Sequence, residues 1–199
     1  MRRRIMSLIP EFELGLWNAW IFVLSYLLMY LVLGGLVRFM GLKGPSRPTT
    51  PPLKEKEKKL DRISGLIFVA SIIYSFFLPL KLGTAWFYLG LIVYLFGMIF
   101  TIVAGINLVN TPLDGPATKG LYRISRNPIY LGTFLIFTGV GIACASWLFL
   151  LLAMAWIILC DMLIAAEERW CLEKYGDAYR EYMNRTPKWI GIPKSEKRD

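Results

Sequence analysis

The stretch IYLGTFLIFTGVGIACASWLFLLLAMAWIILCDMLIAA, residues 129–166, decides the fold. It is almost wholly apolar and too long for a single bilayer crossing, which takes about 20 helical residues. A break at Cys144, Ala145 and Ser146 divides it, so it reads as two membrane helices joined by a tight turn. The first of the two is short, and Gly139 and Gly141 near its end let its backbone approach a neighbour closely. Upstream, the apolar run at residues 14–37 reads as a first span, residues 63–79 as a second and residues 86–108 as a third. The short connection LPLKLGTAW joins the second and third into an expected hairpin, with Trp86 and Tyr88 as interfacial anchors. The expected fold is therefore all-α: a polytopic membrane bundle of about five transmembrane helices, with a C-terminal helical hairpin and a cytoplasmic amphipathic tail. Residues 1–110 form the N-terminal spans with a loop at 38–62, and residues 111–199 form the functional region.

Composition agrees with a bilayer as solvent. Of 199 residues, 56% are hydrophobic, more than a soluble domain of this size has interior to cover. The chain has no His, which excludes imidazole metal sites, Ser-His-Asp triads and His general bases. Cys144, Cys160 and Cys171 form no C-x-x-C pair, so neither a zinc site nor a disulfide framework is expected, and no metal. The net charge of +9 sits in loops and termini between apolar runs, which fits anionic lipid headgroups rather than nucleic acid.

Basic residues concentrate in the loop at 38–62, between spans three and four, and after span five. This bias points the first loop and the C-terminus toward the cytoplasm, with Arg2, Arg3 and Arg4 as the dissenting cluster. The loop begins Pro/Thr-rich and ends in the charge run KEKEKK, which reads as a solvated connection. No internal repeat is visible, against an inverted-repeat transporter.

Two polar segments carry the chemistry: KGLYRISRNPIYLG at 119–132 and AAEERWCLEKYGDAYREYMNRTPKWIGIP at 165–193. Asn127 followed by Pro128 is a helix start, Asn as N-cap and Pro at the first helical position. The helix N–H groups there attract an anion, and Arg126 offers a bidentate partner for it. The same residues also read as a capped helix with a snorkelling Arg at a membrane boundary. Glu167 and Glu168 are expected to end the fifth span, where the helix dipole opposes them unless a cation compensates. Arg126 is one such cation and a positively charged ligand is another. Asp161, a carboxylate inside an apolar span, lies one heptad before Glu168 on nearly the same face. It faces either a substrate or an interhelical hydrogen bond.

At these residues the chain resembles the isoprenylcysteine carboxyl methyltransferase and phospholipid methyltransferase group of integral membrane enzymes. The matching elements are Gly120-Leu121-Tyr122, then Arg126-Asn127-Pro128-Ile129-Tyr130-Leu131-Gly132, Glu167-Glu168, Leu172, Tyr175-Gly176-Asp177, Tyr179, Tyr182, Arg185 and Trp189. The match covers roughly the last eighty residues.

The resemblance implies S-adenosylmethionine as methyl donor and a lipophilic acceptor entering from the bilayer, at a site facing the cytoplasm, expected in the plasma membrane of a prokaryote. It implies cofactor contacts from Gly120, Leu121, Tyr122, Arg126, Asn127, Pro128, Tyr130, Gly132, Glu167 and Glu168, with Arg126 and Glu168 catalytic and Asp161 toward the substrate. The cofactor carboxylate suits Arg126 and the helix start, its ammonium and ribose hydroxyls suit the Glu pair, and its adenine suits Tyr122 and Tyr130. Asn127 stands where many members have His. It caps and hydrogen-bonds but does not titrate, so no proton removal is assigned to it. Residues 172–185 are expected along the interface, as a lid over the site or as an amphipathic anchor. The tail also looks like the end of membrane sterol reductases, which use NADPH, but the chain is short for one and lacks a dense Arg/Lys cluster. A non-catalytic lipid-binding protein is the third alternative. The sequence does not fix an oligomeric state.

Overall fold

The computed structural model describes residues 8, 12–39, 51–112 and 115–193. The basic cluster at residues 2–4 and the Pro/Thr-rich part of the first loop at residues 40–50 lie outside them. The described residues form six α-helices: α1 (Trp20–Phe39), α2 (Glu55–Ser75), α3 (Ala85–Val109), α4 (Pro128–Ala143), α5 (Trp147–Tyr175) and α6 (Asp177–Arg185), with a 3₁₀ turn at Gly120–Arg123 between α3 and α4. No strand is present among the described residues, only an isolated antiparallel bridge between Asn18 and Pro79.

The tight turn lies where expected. Helix α4 ends at Ala143, Ala145 takes a left-handed φ of 51°, and the Ser146 side chain caps α5 by accepting from the Phe149 N–H at 3.3 Å. Helices α3 and α5 are long and apolar enough to cross a membrane. Tyr88, Ile92, Leu95, Ile99 and Ile106 of α3 form an outward stripe, as do Trp147, Leu151, Met154, Ile158 and Met162 of α5. Exposed apolar side chains at a spacing of three and four residues give each helix a lipid-compatible face. Helix α4, with 16 residues, and the stretch Trp20–Gly35 of α1 are apolar but shorter.

Three boundaries differ from the sequence reading. Residues 12–19 are not helical: the Asn18 side chain donates to the Phe76 carbonyl at 2.7 Å, and the Ala19 N–H and Leu78 carbonyl pair at 2.9 Å. Backbone pairing with the α2–α3 connection replaces the helical ladder there. Helix α2 begins two turns earlier than its apolar run because Glu57 accepts from the Lys54 N–H at 2.7 Å, so the charge run is its first turns rather than loop. Helix α5 continues past Glu167 and Glu168 to Tyr175, ending at Gly176 with φ of 55°. Arg169, Leu172, Glu173 and Lys174 are good helix formers, and a Gly at positive φ is the natural stop.

The expected hairpin of spans two and three is a connection, not a packing unit. Helix α3 packs most extensively on α4, whereas α2 packs on α5. The α3–α4 seam is built on small residues: a Cβ on Gly139 would sit 2.5 Å from the Tyr94 nitrogen, and one on Gly97 would sit 2.8 Å from the Ile136 nitrogen. Gly90 and Gly132, each seven residues from its partner glycine, touch Ala143 and Thr101 in the same way. Repeating glycines at heptad spacing let the backbones meet, which is how helices gain packing energy where no water is expelled. Gly141 faces Leu150 of α5 instead. Above the seam, Phe22, Tyr26, Tyr94, Phe137 and Phe149 fill the centre of the bundle.

Candidate functional site

The turn at Cys144 to Ser146 folds α5 back along α4, so the start of α4 and the last third of α5 lie side by side. Between them opens a cavity of about 310 Å³, at the lower end of the range for small-molecule sites. Its lining comes from α3 (Leu108), the α3–α4 connection (Pro116, Ala117, Tyr122, Arg126, Asn127), α4 (Ile129, Tyr130), α5 (Glu167, Glu168, Cys171, Tyr175) and α6 (Tyr179, Tyr182).

The charged residues of this lining are Arg126, Glu167 and Glu168. Arg126 Nε and Nη2 both donate to Glu168 Oε1, at 2.9 and 2.8 Å, with the two side chains only 11% and 13% exposed. Its Nη1 donates to the carbonyls of Met183 at 3.0 Å and Thr186 at 2.8 Å. The guanidinium, read in the sequence as a partner for a ligand carboxylate, is thus held by the protein's own carboxylate and by the tail. Among the described residues no cation pairs with Glu167; its Oε1 accepts from the Tyr130 hydroxyl at 2.5 Å. The pair cancels and Glu167 remains, so the lining has a net charge of about −1 when its carboxylates are ionised.

Asn127 precedes α4 as expected, but its side chain does not cap the helix. Its Nδ2 donates to the Lys188 carbonyl at 3.0 Å. The Arg126 N–H bonds the Pro187 carbonyl at 3.0 Å, and the Gly191 N–H bonds the Ile124 carbonyl at 3.0 Å. Residues 186–191 therefore run as a strap along the segment that carries Arg126 and Asn127. Asp161 fastens the same strap: Oδ1 lies 2.6 Å from Lys188 Nζ and 2.9 Å from Trp189 Nε1, and its backbone carbonyl accepts from Lys188 Nζ at 2.8 Å. Asp161 is outside the cavity lining, and its carboxylate bonds Lys188 and Trp189 of the non-helical strap, neither a ligand contact nor a bond between helices.

Of the remaining expected contacts, Tyr122 and Tyr130 line the cavity, whereas Gly120, Leu121, Pro128 and Gly132 do not. Gly120 and Leu121 shape the connection: Asn107 Oδ1 accepts from the Leu121 N–H at 2.9 Å and sits where a Gly120 side chain would stand. Pro128 is fully buried and Gly132 belongs to the α3 seam. These four shape the elements that carry the lining.

Cys171 enters the lining without having been assigned to the site, whereas Tyr175, Tyr179 and Tyr182 belong to the segment expected as a lid or an anchor. Cys171 and Tyr175 follow Glu168 at three and seven residues, the repeat of one helix face once α5 is continued. Tyr179 and Tyr182, three apart, form the inward face of α6. The Tyr182 hydroxyl donates to the Tyr122 carbonyl at 2.7 Å, and burial pushes both phenols above their ordinary range. They remain protonated at physiological pH. Tyr175 differs: its hydroxyl is buried and has no hydrogen-bond partner among the described residues.

Compared with known proteins, residues 78–178 match the family model described as phospholipid methyltransferase. That interval runs from before α3 through α5 to the start of α6, and so contains most of the cavity lining. No curated protein matches the chain.

Proposed function

The chain belongs to the phospholipid methyltransferase family, and on that premise we propose that it transfers a methyl group from S-adenosylmethionine to a lipophilic acceptor at the cytoplasmic membrane face. Membership and the apolar helices α3 and α5 make it a membrane-associated protein of a methyltransferase family. The donor, the acceptor class, the five spans and their orientation are our reading, as is a prokaryotic plasma membrane.

The observation that carries the reading is the charge of the cavity. With Arg126 neutralised by Glu168, the Glu167 carboxylate and the aromatic faces of Tyr122, Tyr130, Tyr179 and Tyr182 make a pocket for a cation with flat, apolar parts. The residues fit S-adenosylmethionine in that sense, and the Tyr175 hydroxyl, without a partner among the described residues, offers a further polar contact. Bound there, the cofactor supplies an electrophilic methyl group on a sulfonium. The protein's part is to hold and to exclude. Glu167, fixed by Tyr130, supplies the negative charge when it is ionised. Arg126 holds Glu168 and, through the Met183 and Thr186 carbonyls, the end of α6. That contact keeps Tyr179 and Tyr182 over the cavity and limits water. The apolar wall of Leu108, Pro116, Ala117 and Ile129 suits the hydrocarbon part of an acceptor.

The lining bears on acceptor chemistry. Asn127 does not titrate, and Tyr179 and Tyr182 stay protonated. A prenylcysteine-like carboxylate or a thiolate needs no proton removed, so positioning suffices. A lipid amine does need a base, and Glu167 is the lining carboxylate without a cation to hold its charge.

Calorimetric titration of the purified protein tests the reading. Saturable binding of S-adenosylmethionine without binding of NADPH supports it. NADPH binding points to a reductase, and binding of neither points to a non-catalytic lipid-binding protein.

A further inference from the structure

Several buried phenols among the described residues find partners. Tyr130 donates to Glu167, Tyr182 to the Tyr122 carbonyl and Tyr94 to the Phe22 carbonyl. Tyr175 breaks the pattern: it lines the cavity, its Oη is shut away from solvent, and no acceptor or donor among the described residues meets it. Burying a hydroxyl without a partner costs free energy, and a ring alone would fill the same space without that cost. The ring has its own packing, with Lys174 Nζ 5.1 Å from its centroid. A hydroxyl that costs stability in the ligand-free protein is accounted for if something that enters the cavity pairs with it.

Position says what that something spans. Tyr175 lies eight residues beyond Glu167 on α5, about 12 Å along the axis at 1.5 Å per residue. Glu168, Cys171 and Tyr175 repeat at three and four residues and so present one face along that length. An elongated ligand with polar groups at both ends can touch Glu167 at one end and Tyr175 at the other.

We propose that the Tyr175 hydroxyl hydrogen-bonds the end of the methyl donor distant from Glu167, so that the donor lies along α5 between these two residues. The inference rests on the functional reading above, deepening it by one contact and an orientation. Tyr175 is a binding residue here, with no proton transferred.

The test is the substitution Tyr175→Phe in the full-length protein, read by two measurements with S-adenosylhomocysteine, the unreactive product, as probe. By equilibrium binding, Tyr175→Phe is expected to weaken affinity about threefold to tenfold, the effect of one hydrogen bond. By thermal unfolding without ligand, the variant is expected to be as stable as wild type or slightly more so, because it removes an unsatisfied group. A purely structural hydroxyl gives the opposite sign: lowered stability with unchanged affinity overturns the proposal. Unchanged affinity with unchanged stability overturns it as well. If wild type binds the probe and the variant binds it equally, only the Tyr175 contact falls; if wild type does not bind, the cofactor reading falls and takes this inference with it. Repeating the comparison with 5′-methylthioadenosine, which lacks the amino-acid end, assigns the contact. A retained penalty places the nucleoside at Tyr175, and a lost penalty places the amino-acid group there.

Discussion

Arg126 Nη2 sits 2.8 Å from Glu168 Oε1, tying the segment just before α4 to the last third of α5 across a nearly dry gap. Removing one member of such a pair strands the other charge, at a cost of about 3–5 kcal/mol. Arg126→Ala is therefore expected to lower the thermal midpoint in detergent by several degrees. Replacing both partners, Arg126→Met with Glu168→Leu, should recover part of the loss while leaving methyl transfer impaired. A single variant with wild-type stability and reduced cofactor affinity would instead make Arg126 a ligand anchor, the role first read from the sequence.

Asp161 holds Lys188 and Trp189, and through them the strap beside Arg126 and Asn127. With its side chain 46% exposed, the ion pair contributes only about 0.5–1 kcal/mol. Asp161→Asn should therefore leave the fold intact, shift Trp189 fluorescence, and raise the KM for S-adenosylmethionine more than it lowers kcat. A kcat effect alone would mean that Asp161 acts on the reaction and not through the strap.

The Arg169 guanidinium grips Glu57 with two bonds, at 3.0 and 2.9 Å, and with the Lys54 N–H it lowers the Glu57 carboxyl from an ordinary 4.5 to about 2. A group whose folded value is depressed adds stability that is complete above its unfolded value and is lost as pH falls through the folded one. Wild type should exceed Glu57→Gln in thermal midpoint above about pH 4.5, with the gap closing as pH falls toward 2. A gap independent of pH would assign the difference to packing.

Gly139 and Gly105 predict opposite signs. A side chain on Gly139 meets the Tyr94 backbone at 2.5 Å, whereas one on Gly105 has only Leu33 Cδ1, 3.9 Å away. Gly139→Val should overpack the α3–α4 seam and cost about 3 kcal/mol or more. Gly105→Ala should stabilise by about 0.5–1 kcal/mol through helix propensity. Thermal unfolding of the two variants checks both, and a tolerated Gly139→Val would refute the close seam.

The helical class and the turn at Cys144 to Ser146 were legible because both follow from local composition: apolar length, then small residues and a capping Ser. Pairing was not. Chain adjacency suggested that spans two and three pack together, but Gly90, Gly97, Gly132 and Gly139 bring α3 to α4, and a glycine's partner is invisible until the backbones are placed. The run past Glu167 and Glu168 was missed because two carboxylates looked like a stop, and with it went the register that carries Cys171 and Tyr175 into the cavity. That Tyr122, Arg126, Asn127, Tyr130, Glu167 and Glu168 share one cavity could be expected from the family resemblance their types and order carry. What each one holds could not, since Arg126 and Asn127 bond mainly to backbone carbonyls of the tail, and backbone carbonyls leave no mark in a sequence.

Glu167 is the lining charge with no counter-ion, and the functional reading stands on it. Membranes containing the wild-type chain or Glu167→Gln, a variant of nearly the same shape, can be incubated with S-adenosylmethionine labelled in its methyl group and then extracted with organic solvent. The wild type should place label in lipophilic material, and Glu167→Gln should lower that incorporation about tenfold or more, the scale of losing one charged contact. Equal incorporation by the two, or none by the wild type above membranes lacking the protein, would contradict the reading.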